Sequence, residues 1–184
     1  ARGSRSPLRS PPRSRRGPDP QARYLEAVIS VGDGALRVAS IYLPNGNPTD
    51  TPKFPYKLAW MERLRDHAQV LRAGEEAVAL CGDFNVIATD DDVYNAPAWR
   101  QDALMRAETQ ARFFALTHQG YTDAWRACSN QTHHYTFWDY QAGAWQKDHG
   151  LRIDYILLSP QAADRLQSAH IDSRVRGWEK PSDH

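Results

Sequence analysis

Residues 77–85 read AVALCGDFN, a short apolar run that ends in a glycine, an aspartate, an aromatic residue and an asparagine. A continuous apolar run of this length is typical of a strand that is covered on both faces. If strand geometry continues to its end, Asp83 and Asn85 project from one face while Phe84 turns to the other. A turn in which the Asp and Asn side chains cap the backbone would give the same pattern. The run therefore predicts a buried strand with two polar side chains at its end.

The sequence before this strand predicts a hairpin and a helix. Two β-rich runs, Leu25–Val31 and Leu36–Leu43, flank the turn Gly32-Asp33-Gly34 and are typical of an antiparallel hairpin. The residues that follow, 44–48, read PNGNP and predict a loop. Apolar residues then recur at steps of three and four before Gly74, which predicts an amphipathic helix packed on the sheet: Leu58, Met61, Leu64, Ala68 and Leu71.

The sequence after residue 85 continues the alternation of helices and strands, which is typical of the α/β class. We expect a helix over Asp102–His118, a strand over Leu151–Leu158, a short helix over Pro160–Leu166 and a last strand over Ala169–Val175. The acidic run Asp90–Asp92 lacks the spaced ligands and the glycine of an EF-hand loop, so we expect it to be solvated.

Composition excludes several classes of protein. The 184 residues are 41% apolar and 24% charged, and no apolar run approaches the roughly 18 residues that a membrane span needs. The net charge of +1 hides an uneven distribution, because residues 1–20 carry six arginines against one aspartate and residues 21–184 have a net charge of −4. A basic domain is therefore not the argument for nucleic-acid binding, and any phosphate must be bound by local groups or by a metal.

Residues 1–18 differ in composition from the rest of the chain. They are almost entirely Arg, Ser, Pro and Gly, which bury too little apolar surface to offset the entropy of ordering, so we expect a disordered tail. That tail is either a basic arm that contacts polyanions, a solvated segment, or an artefact of the gene prediction. Residues 19–184 form the domain. Two cysteines, Cys81 and Cys128, exclude a disulfide-dense scaffold, and we expect both to be reduced core thiols.

Two further polar groups are unusual for their positions. Asp154 lies in the centre of an apolar strand, where an unpaired charge is costly, so it is expected to face a polar cleft or a histidine. Arg152 shares its strand face, and a plain Arg–Asp pair is the alternative. The chain closes with Ser182-Asp183-His184, which could bind a metal or move a proton near neutral pH, or could be a frayed end.

Aromatic residues supply the remaining candidates. Tyr42 ends a predicted strand, where its hydroxyl could reach a phosphate or where the ring could be an ordinary interface aromatic. Residues 135–140 read YTFWDY, a cluster that is either core or a surface on which a base or sugar stacks. His133 and His134 are adjacent, which is poor spacing for a shared ion, so no zinc site is expected there.

Four blocks taken together resemble the exonuclease III family of the endonuclease/exonuclease/phosphatase superfamily. They occur in the order IYLPNGNP, LCGDFNV, GLRIDYILLS and the terminal SDH, and the resemblance runs from about Asp19 to His184. It implies a DNase I-like fold, a four-layered α/β sandwich of two mixed β-sheets flanked by helices. It also implies a metal-dependent nuclease of DNA repair that uses Mg²⁺ or Mn²⁺.

The resemblance assigns roles residue by residue. Tyr42 corresponds to the active-site tyrosine that contacts the phosphate. Asp83 corresponds to the aspartate that orients or deprotonates the attacking water or protonates the leaving group, and Asn85 to the asparagine that steadies the pentacovalent phosphate. Asp154 matches the aspartate that orients the histidine, and His184 matches the histidine that contacts the phosphate and is often called the base.

The resemblance also implies a metal set and a substrate pocket. The metal set would consist of Asp83, Asn85, Asp183 and His184. Trp138 resembles the aromatic residue that helps to form the pocket for an abasic sugar, and we expect Arg152 to contact the substrate as well.

One departure from the family pattern affects the expected completeness of the site. The family begins with a strand bearing an asparagine in a W-N context and a second strand that ends in a Q-E pair, whose glutamate is a principal metal ligand. Neither occurs before Asp83. We therefore expect an incomplete domain, the C-terminal portion of a longer enzyme, which lacks a metal ligand and is inactive in this form.

The expected activity is that of the parent enzyme: abasic-site endonuclease, 3′ to 5′ exonuclease and 3′-phosphatase. The expected partner is double-stranded DNA, especially abasic sites and 3′ ends, with no membrane, and the expected state is a monomer in the bacterial cytoplasm. Two alternatives stay open. One is a phosphatase or phosphodiesterase of the same superfamily that acts on a small phosphorylated substrate. The other is a non-catalytic nucleic-acid-binding module.

Overall fold

The computed structural model describes residues 21–32 and 34–184. The expected disordered tail, residues 1–18, and the hairpin residue Asp33 lie outside the described residues. The elements follow one another as β1 (Tyr24–Val31), β2 (Gly34–Tyr42), α1 (Lys53–Ala73), β3 (Val78–Asp83), a 3₁₀ turn (Asp90–Asp92), α2 (Ala96–Trp99), α3 (Ala107–Thr117), β4 (Thr122–Asp123), α4 (Ala124–Cys128), β5 (Asp154–Leu158), α5 (Pro160–Ala163) and a second 3₁₀ turn (Ser173–Gly177).

The strands form one mixed sheet in the order β1-β2-β3-β5-β4. The β1–β2 hairpin is antiparallel, with Val31 paired to Gly34, as the two β-rich runs predict. β3 is parallel to β2 and antiparallel to β5, so both of its edges are hydrogen-bonded. The prediction of a buried strand in an α/β sheet is therefore confirmed, and β3 holds the end of the AVALCGDFN run at the centre of the sheet.

One face of the sheet packs against α1 and α3. Burial of each large side chain in this layer contributes roughly 1.5–3 kcal/mol relative to its exposure. The predicted amphipathic helix is confirmed, since α1 presents its apolar side to the sheet. The buried residues of this layer include Ala39, Ile41, Val78, Leu80, Tyr155 and Leu157 from the strands, Trp60, Met61, Leu64 and Ala68 from α1, and Phe113 and Leu116 from α3.

The opposite face of the sheet is only partly covered. Near one end, α5 packs Ala162 against Ala79 and Leu158. Farther along the same face, Leu25 and Ile29 are exposed. The described residues thus form one of the two mixed sheets that the family resemblance implies, with helices on it, and the α/β class is confirmed.

Several predicted boundaries differ from the structure. The predicted strand over Ala169–Val175 is wrong, because the chain there is irregular and then forms a 3₁₀ turn. Its alternating apolar residues line a cavity beside β5 instead of joining a ladder. α3 begins at Ala107 because Asp102 accepts a hydrogen bond from the Leu104 amide and forms a turn before the helix.

The two cysteines are free thiols, but they are not equivalent. Cys81 is half-buried, whereas Cys128 is exposed at the end of α4, so the expectation of a core thiol is wrong for Cys128. Among the described residues, no helix combines the length and the apolar character needed to cross a membrane.

Candidate active site

Three neighbouring strands place Tyr42, Asp83 and Asp154 side by side at one end of the sheet. Tyr42 is the register partner of Asp83 across β2 and β3, and Asp83 is the partner of Asp154 across β3 and β5. Residues directly opposite each other in a sheet project from the same face, with Cβ atoms about 4.5–5.5 Å apart in antiparallel pairs. The sheet therefore gathers three predicted site residues that are far apart in the sequence.

Asn85 is fixed against Asp83 by two hydrogen bonds. Its main-chain N–H donates to Asp83 Oδ1 at 2.7 Å, and its side-chain Nδ2 donates to Asp83 Oδ2 at 2.9 Å. Nδ2 also donates to the Leu43 carbonyl at 2.9 Å. Asn85 has φ 48°, a left-handed conformation that asparagine tolerates better than most residues. The capped turn that the sequence offered as an alternative is thus present, and it keeps Asp83 and Asn85 side by side at the end of β3.

Asp154 is paired with His184. Nδ1 of the imidazole lies 2.8 Å from Asp154 Oδ2, and the main-chain N–H groups of Ile153 and Asp154 both donate to Thr136 Oγ1. The hydrogen bond to Asp154 raises the pKa of His184 above its ordinary value, against the opposing effect of burial, and the charge of Asp83 adds to the rise. Because Asp154 engages Nδ1, proton exchange with a substrate falls to Nε2.

The pKa of the Asp83 carboxyl is raised toward neutral pH. Burial raises the pKa of its carboxyl to about 6, and the negative charge of Asp154 adds to this effect. The Asn85 main-chain N–H and the positive charges of His184 and Lys57 act in the opposite direction. A carboxyl group with this pKa can both accept and release a proton near neutral pH, as general acid–base chemistry requires.

Two residues at this site were not singled out from the sequence, Asn45 and Lys57. Asn45 Nδ2 donates to Asn85 Oδ1 at 3.1 Å. Lys57 is fully buried, and its Nζ donates to the main-chain carbonyls of Asn85 at 2.6 Å and Asn45 at 3.0 Å. Burial lowers the pKa of Lys57 to about 7. The signal available in the sequence was a lysine on the apolar stripe of α1, three residues before Trp60 and four before Met61.

The aromatic ring beside the histidine is that of Phe137. Its centroid lies 5.1 Å from that of the His184 ring in an edge-on arrangement. Trp138 is 3% exposed, donates from Nε1 to Asp148 Oδ1 at 3.0 Å and packs edge-on against Trp145. Trp138 lines the cavity beside Asp154 and His184, as a residue of the predicted pocket, while its neighbour Phe137 contacts the His184 ring directly.

Arg152 lies in a buried ion-pair network and also lines the cavity beside the Asp154–His184 pair. Its Nε is 2.6 Å from Asp92 Oδ1, and its Nη1 is 2.7 Å from Asp123 Oδ2. The alternative of an Arg152–Asp154 pair is wrong, because Asp154 is instead bound to His184.

Asp92 is fully buried within that network, so the expectation of a solvated acidic run is wrong at this residue. Burial by itself would raise the pKa of Asp92, but its hydrogen bonds with Arg152 and the guanidinium charge hold it below the ordinary value. Asp90 and Asp91 are exposed, as the sequence predicts.

The predicted metal set is only partly assembled. Asp183 accepts a hydrogen bond from the Trp138 N–H through its main-chain carbonyl at 2.8 Å. In the part of the chain that the structure describes, no three His, Cys, Asp or Glu side chains are grouped so as to hold one metal ion. A hard cation such as Mg²⁺ needs several oxygen ligands in octahedral geometry. The described residues therefore do not fit a complete site for Mg²⁺ or Mn²⁺.

A cavity of about 330 Å³ adjoins the Asp154–His184 pair. Thr136 and Arg176 lie in its wall, together with apolar side chains of the irregular segment before the second 3₁₀ turn. Arg176 donates to the Trp138 carbonyl, while the Trp138 N–H donates to the Asp183 carbonyl, so the last residues of the chain are tied to the aromatic segment.

Comparisons with known proteins agree on one family. The family model described as "Endonuclease/Exonuclease/phosphatase family" matches residues 1–184. The exodeoxyribonuclease of Bacillus subtilis is 30% identical over 158 residues, which cover 85% of this chain and 60% of that protein. Exodeoxyribonuclease III of Haemophilus influenzae is 28% identical over 174 residues, which cover 90% of this chain and 65% of that protein. The chain thus spans less than two thirds of these curated relatives.

Solved structures give the same result. The 3′–5′ exonuclease NExo of Neisseria meningitidis has a TM-score of 0.84 and 34% identity, covering 90% of this chain and 63% of that one. An AP endonuclease from Archaeoglobus fulgidus has a TM-score of 0.82 and 31% identity, covering 88% of this chain and 62% of that one. Another structure of NExo is described as a 3′ phosphatase bound to a product DNA hairpin, at 33% identity and a TM-score of 0.83, covering 90% of this chain and 63% of that one.

Proposed function

The chain belongs to the endonuclease/exonuclease/phosphatase family, and from that membership we propose that its protein hydrolyses phosphate esters of damaged DNA. The proposed reactions are incision at abasic sites, 3′ to 5′ exonuclease cleavage and removal of 3′ phosphates. The observation that carries the proposal is the convergence of Asp83, Asn85, Asp154 and His184 at one end of a single sheet.

The reaction needs a water molecule in line with the scissile P–O bond, stabilisation of the phosphoryl oxygens and protonation of the leaving 3′ oxygen. Asp83 is the group for proton transfer, because its pKa of about 6 suits either orienting and deprotonating the water or protonating the leaving group. Asn85 holds both oxygens of that carboxylate in place.

His184 and Tyr42 are the groups that would bind the phosphate. His184, with its pKa raised by Asp154, carries a positive charge more readily than a free imidazole and can donate from Nε2 to a phosphoryl oxygen. Tyr42 is exposed beside Asp83, so its hydroxyl is accessible to the same phosphate.

Mg²⁺ or Mn²⁺ remains a prediction from the family resemblance, with Asp83, Asn85, Asp183 and His184 as its predicted ligands. When bound, such an ion would neutralise charge on the phosphoryl oxygens. No step above is assigned to it, because the described residues do not supply a complete set of ligands.

Double-stranded DNA with an abasic site or a 3′ end is the proposed substrate. Support comes from the names of relatives, which include an AP endonuclease and a 3′ phosphatase bound to a DNA hairpin. Phe137, packed against His184, is the aromatic side chain in position to contact an exposed sugar. A monomeric state and a location in the bacterial cytoplasm are further proposals, the latter supported by the bacterial exodeoxyribonucleases among the relatives.

The test uses the protein in the longest form that its gene encodes and compares three substrates in a buffer with added Mg²⁺: a duplex with one abasic site, the same duplex without it, and p-nitrophenyl phosphate. We expect cleavage of the abasic duplex at a rate well above both others. Asp83→Asn should lower that rate about 10²- to 10⁴-fold, since it removes the proton-transfer group. Asp91→Asn, an exposed carboxylate on the following loop, is the matched control and should leave the rate unchanged.

Two results would contradict this proposal. Faster turnover of p-nitrophenyl phosphate than of the abasic duplex would instead favour an enzyme of the same superfamily for small phosphate esters. Loss of all DNA affinity on deletion of residues 1–18, together with an unchanged rate in Asp83→Asn, would favour the non-catalytic binding module.

A further inference from the structure

Lys57 is a buried cation whose hydrogen bonds go to main-chain carbonyls. It is fully buried on α1, and its Nζ donates to the carbonyls of Asn85 and Asn45. The carboxylates of Asp83 and Asp102 act on it as nearby negative charges. Burial of an ammonium group opposes folding, and an apolar side chain of similar volume is often tolerated as well or better. The fold therefore keeps a basic amino group in its interior at a cost in stability.

The ammonium group of Lys57 completes the restraint of Asn85. The side chain and the main-chain N–H of Asn85 are bound to Asp83, Leu43 and Asn45, and its carbonyl accepts from Lys57 at 2.6 Å. Because φ of Asn85 is in the left-handed region, the peptide on each side of it needs a fixed partner to keep that conformation. Lys57 is that partner on the carbonyl side.

Asn85 in turn holds the carboxylate of Asp83. Both oxygens of the Asp83 carboxylate accept hydrogen bonds from Asn85, one from the main chain and one from the side chain. A shift of the Asn85 backbone therefore moves both donors that hold the carboxylate. Lys57 also donates to Asn45, whose side chain donates to Asn85, so a second route reaches the same residue.

The aliphatic part of the Lys57 side chain passes close to the main chain at Gly46. Gly46, at φ 93°, lies so close that a Cβ atom on it would be 2.6 Å from Lys57 Cδ. A side chain at position 46 would push the lysine out of its path. Because Gly46 has no side chain, the side chain of Lys57 can extend from α1 to the end of β3.

We propose that Lys57 is a positioning residue for phosphate-ester hydrolysis: it fixes the main chain at Asn85 and Asn45, and through Asn85 it holds the Asp83 carboxylate in its reactive place. The inference rests on the proposed function, since it assigns Asp83 to the reaction. It differs from a merely structural role, because loss of the ammonium group should impair turnover in a protein that stays folded.

The kinetic test uses Lys57→Met, which keeps the length of the stem and removes the three donors. On the abasic duplex we expect kcat to fall about 10- to 100-fold while KM changes by less than about threefold, because misplacement of a reacting group by a fraction of an ångström slows the chemical step. Lys57→Arg, which restores charge and donors, should recover part of the loss. Lys53→Met, an exposed lysine at the start of the same helix, is the matched control and should keep the wild-type kcat.

A second measurement does not depend on activity. In ¹⁵N–¹H correlation spectra, Lys57→Met should shift the main-chain and Nδ2 resonances of Asn85, and Lys53→Met should leave them in place. Unshifted Asn85 resonances, or a kcat of Lys57→Met within twofold of wild type, would overturn the inference. If the wild-type protein cleaves no DNA, the proposed function fails, and the Asn85 resonances alone decide the role of Lys57. If Lys57→Met does not fold, Lys57→Arg decides: Asn85 resonances and kcat that are both retained or both changed support the proposal, and a change in one without the other refutes it.

Discussion

At the scale of single residues, the Asp154–His184 contact is central to the proposed chemistry. Asp154 is the first residue of β5 and lies between Ile153 and Tyr155, and its carboxylate is tolerated there because the His184 imidazole pairs with it. The sequence indicated that Asp154 needed a polar partner, and the terminal histidine is that partner. The pairing could not be derived from spacing, because 30 residues separate the two side chains.

Substitution of Asp154 by Asn should lower the pKa of His184 toward its ordinary value, because the largest cause of the rise is the hydrogen bond to this carboxylate. We expect a fall in kcat of roughly 10²- to 10⁴-fold near neutral pH, since less of the imidazole is charged and its ring is no longer oriented. An NMR titration of the His184 ring proton measures the pKa, with His118 as the internal reference.

The same substitution has a defined effect on stability. A histidine whose pKa is higher in the folded state stabilises the fold below its unfolded pKa, about 6.5, and that contribution is lost as the pH rises through the folded pKa. Asp154→Asn should therefore reduce the unfolding free energy more at pH 6 than at pH 9. An equal loss at both pH values, or an unchanged His184 titration, would argue against a charged Asp154–His184 pair.

At the scale of elements, a buried ion-pair network anchors the segment that follows β3, contains Asn85 and leads to α2. Arg152, just before β5, joins Asp92 of the first 3₁₀ turn to Asp123, which caps α4. Arg126 on α4 completes the network with a 2.7 Å contact to Asp92. The first 3₁₀ turn and α4 are thereby fixed relative to the strand that bears Asp154. Arg152 holds these elements together. The residues next to it in the sequence gave no indication of this role.

Replacement of Asp92 by Asn should destabilise the protein by about 3 kcal/mol, because it leaves the buried Arg152 with one carboxylate partner instead of two. Urea unfolding at pH 7 measures the change. Asp91→Asn is the matched control, since Asp91 is the exposed neighbour in the same 3₁₀ turn, and should change stability by less than about 0.5 kcal/mol. Equal effects of the two substitutions would show that the network contributes little.

At the scale of the whole molecule, one face of the sheet packs against α1 and α3, and the opposite face is covered only near α5. Leu25 is 60% exposed and Ile29 is 47% exposed, and both project from the face that also carries Tyr42, Asp83 and Asp154. Contiguous exposed apolar surface of this kind binds other apolar surfaces, whereas a single exposed apolar side chain is ordinary.

A polypeptide of residues 1–184 should therefore bind the apolar dye ANS through this face. The double substitution Leu25→Gln and Ile29→Gln should reduce the fluorescence about twofold, because it removes much of the exposed apolar area of β1. Val70→Gln, which alters an isolated exposed side chain on α1 that is 66% exposed, should leave the fluorescence unchanged. Equal fluorescence in all three proteins would exclude the sheet face as the binding surface.

The sequence by itself determined the class of fold, the hairpin, the helix after the PNGNP loop, the buried strand with its Asp–Asn end, and the ordered blocks that identify the family. These follow from local periodicity and from turn residues, which act over a few neighbouring positions. Only the tertiary structure decided that Lys57 reaches Asn85, that the Phe137 ring packs against His184, and that Asp92 is buried against Arg152. Such contacts join residues 28 to 60 positions apart in the sequence. They depend on how helices and loops pack on the sheet, and a local sequence pattern does not contain that information.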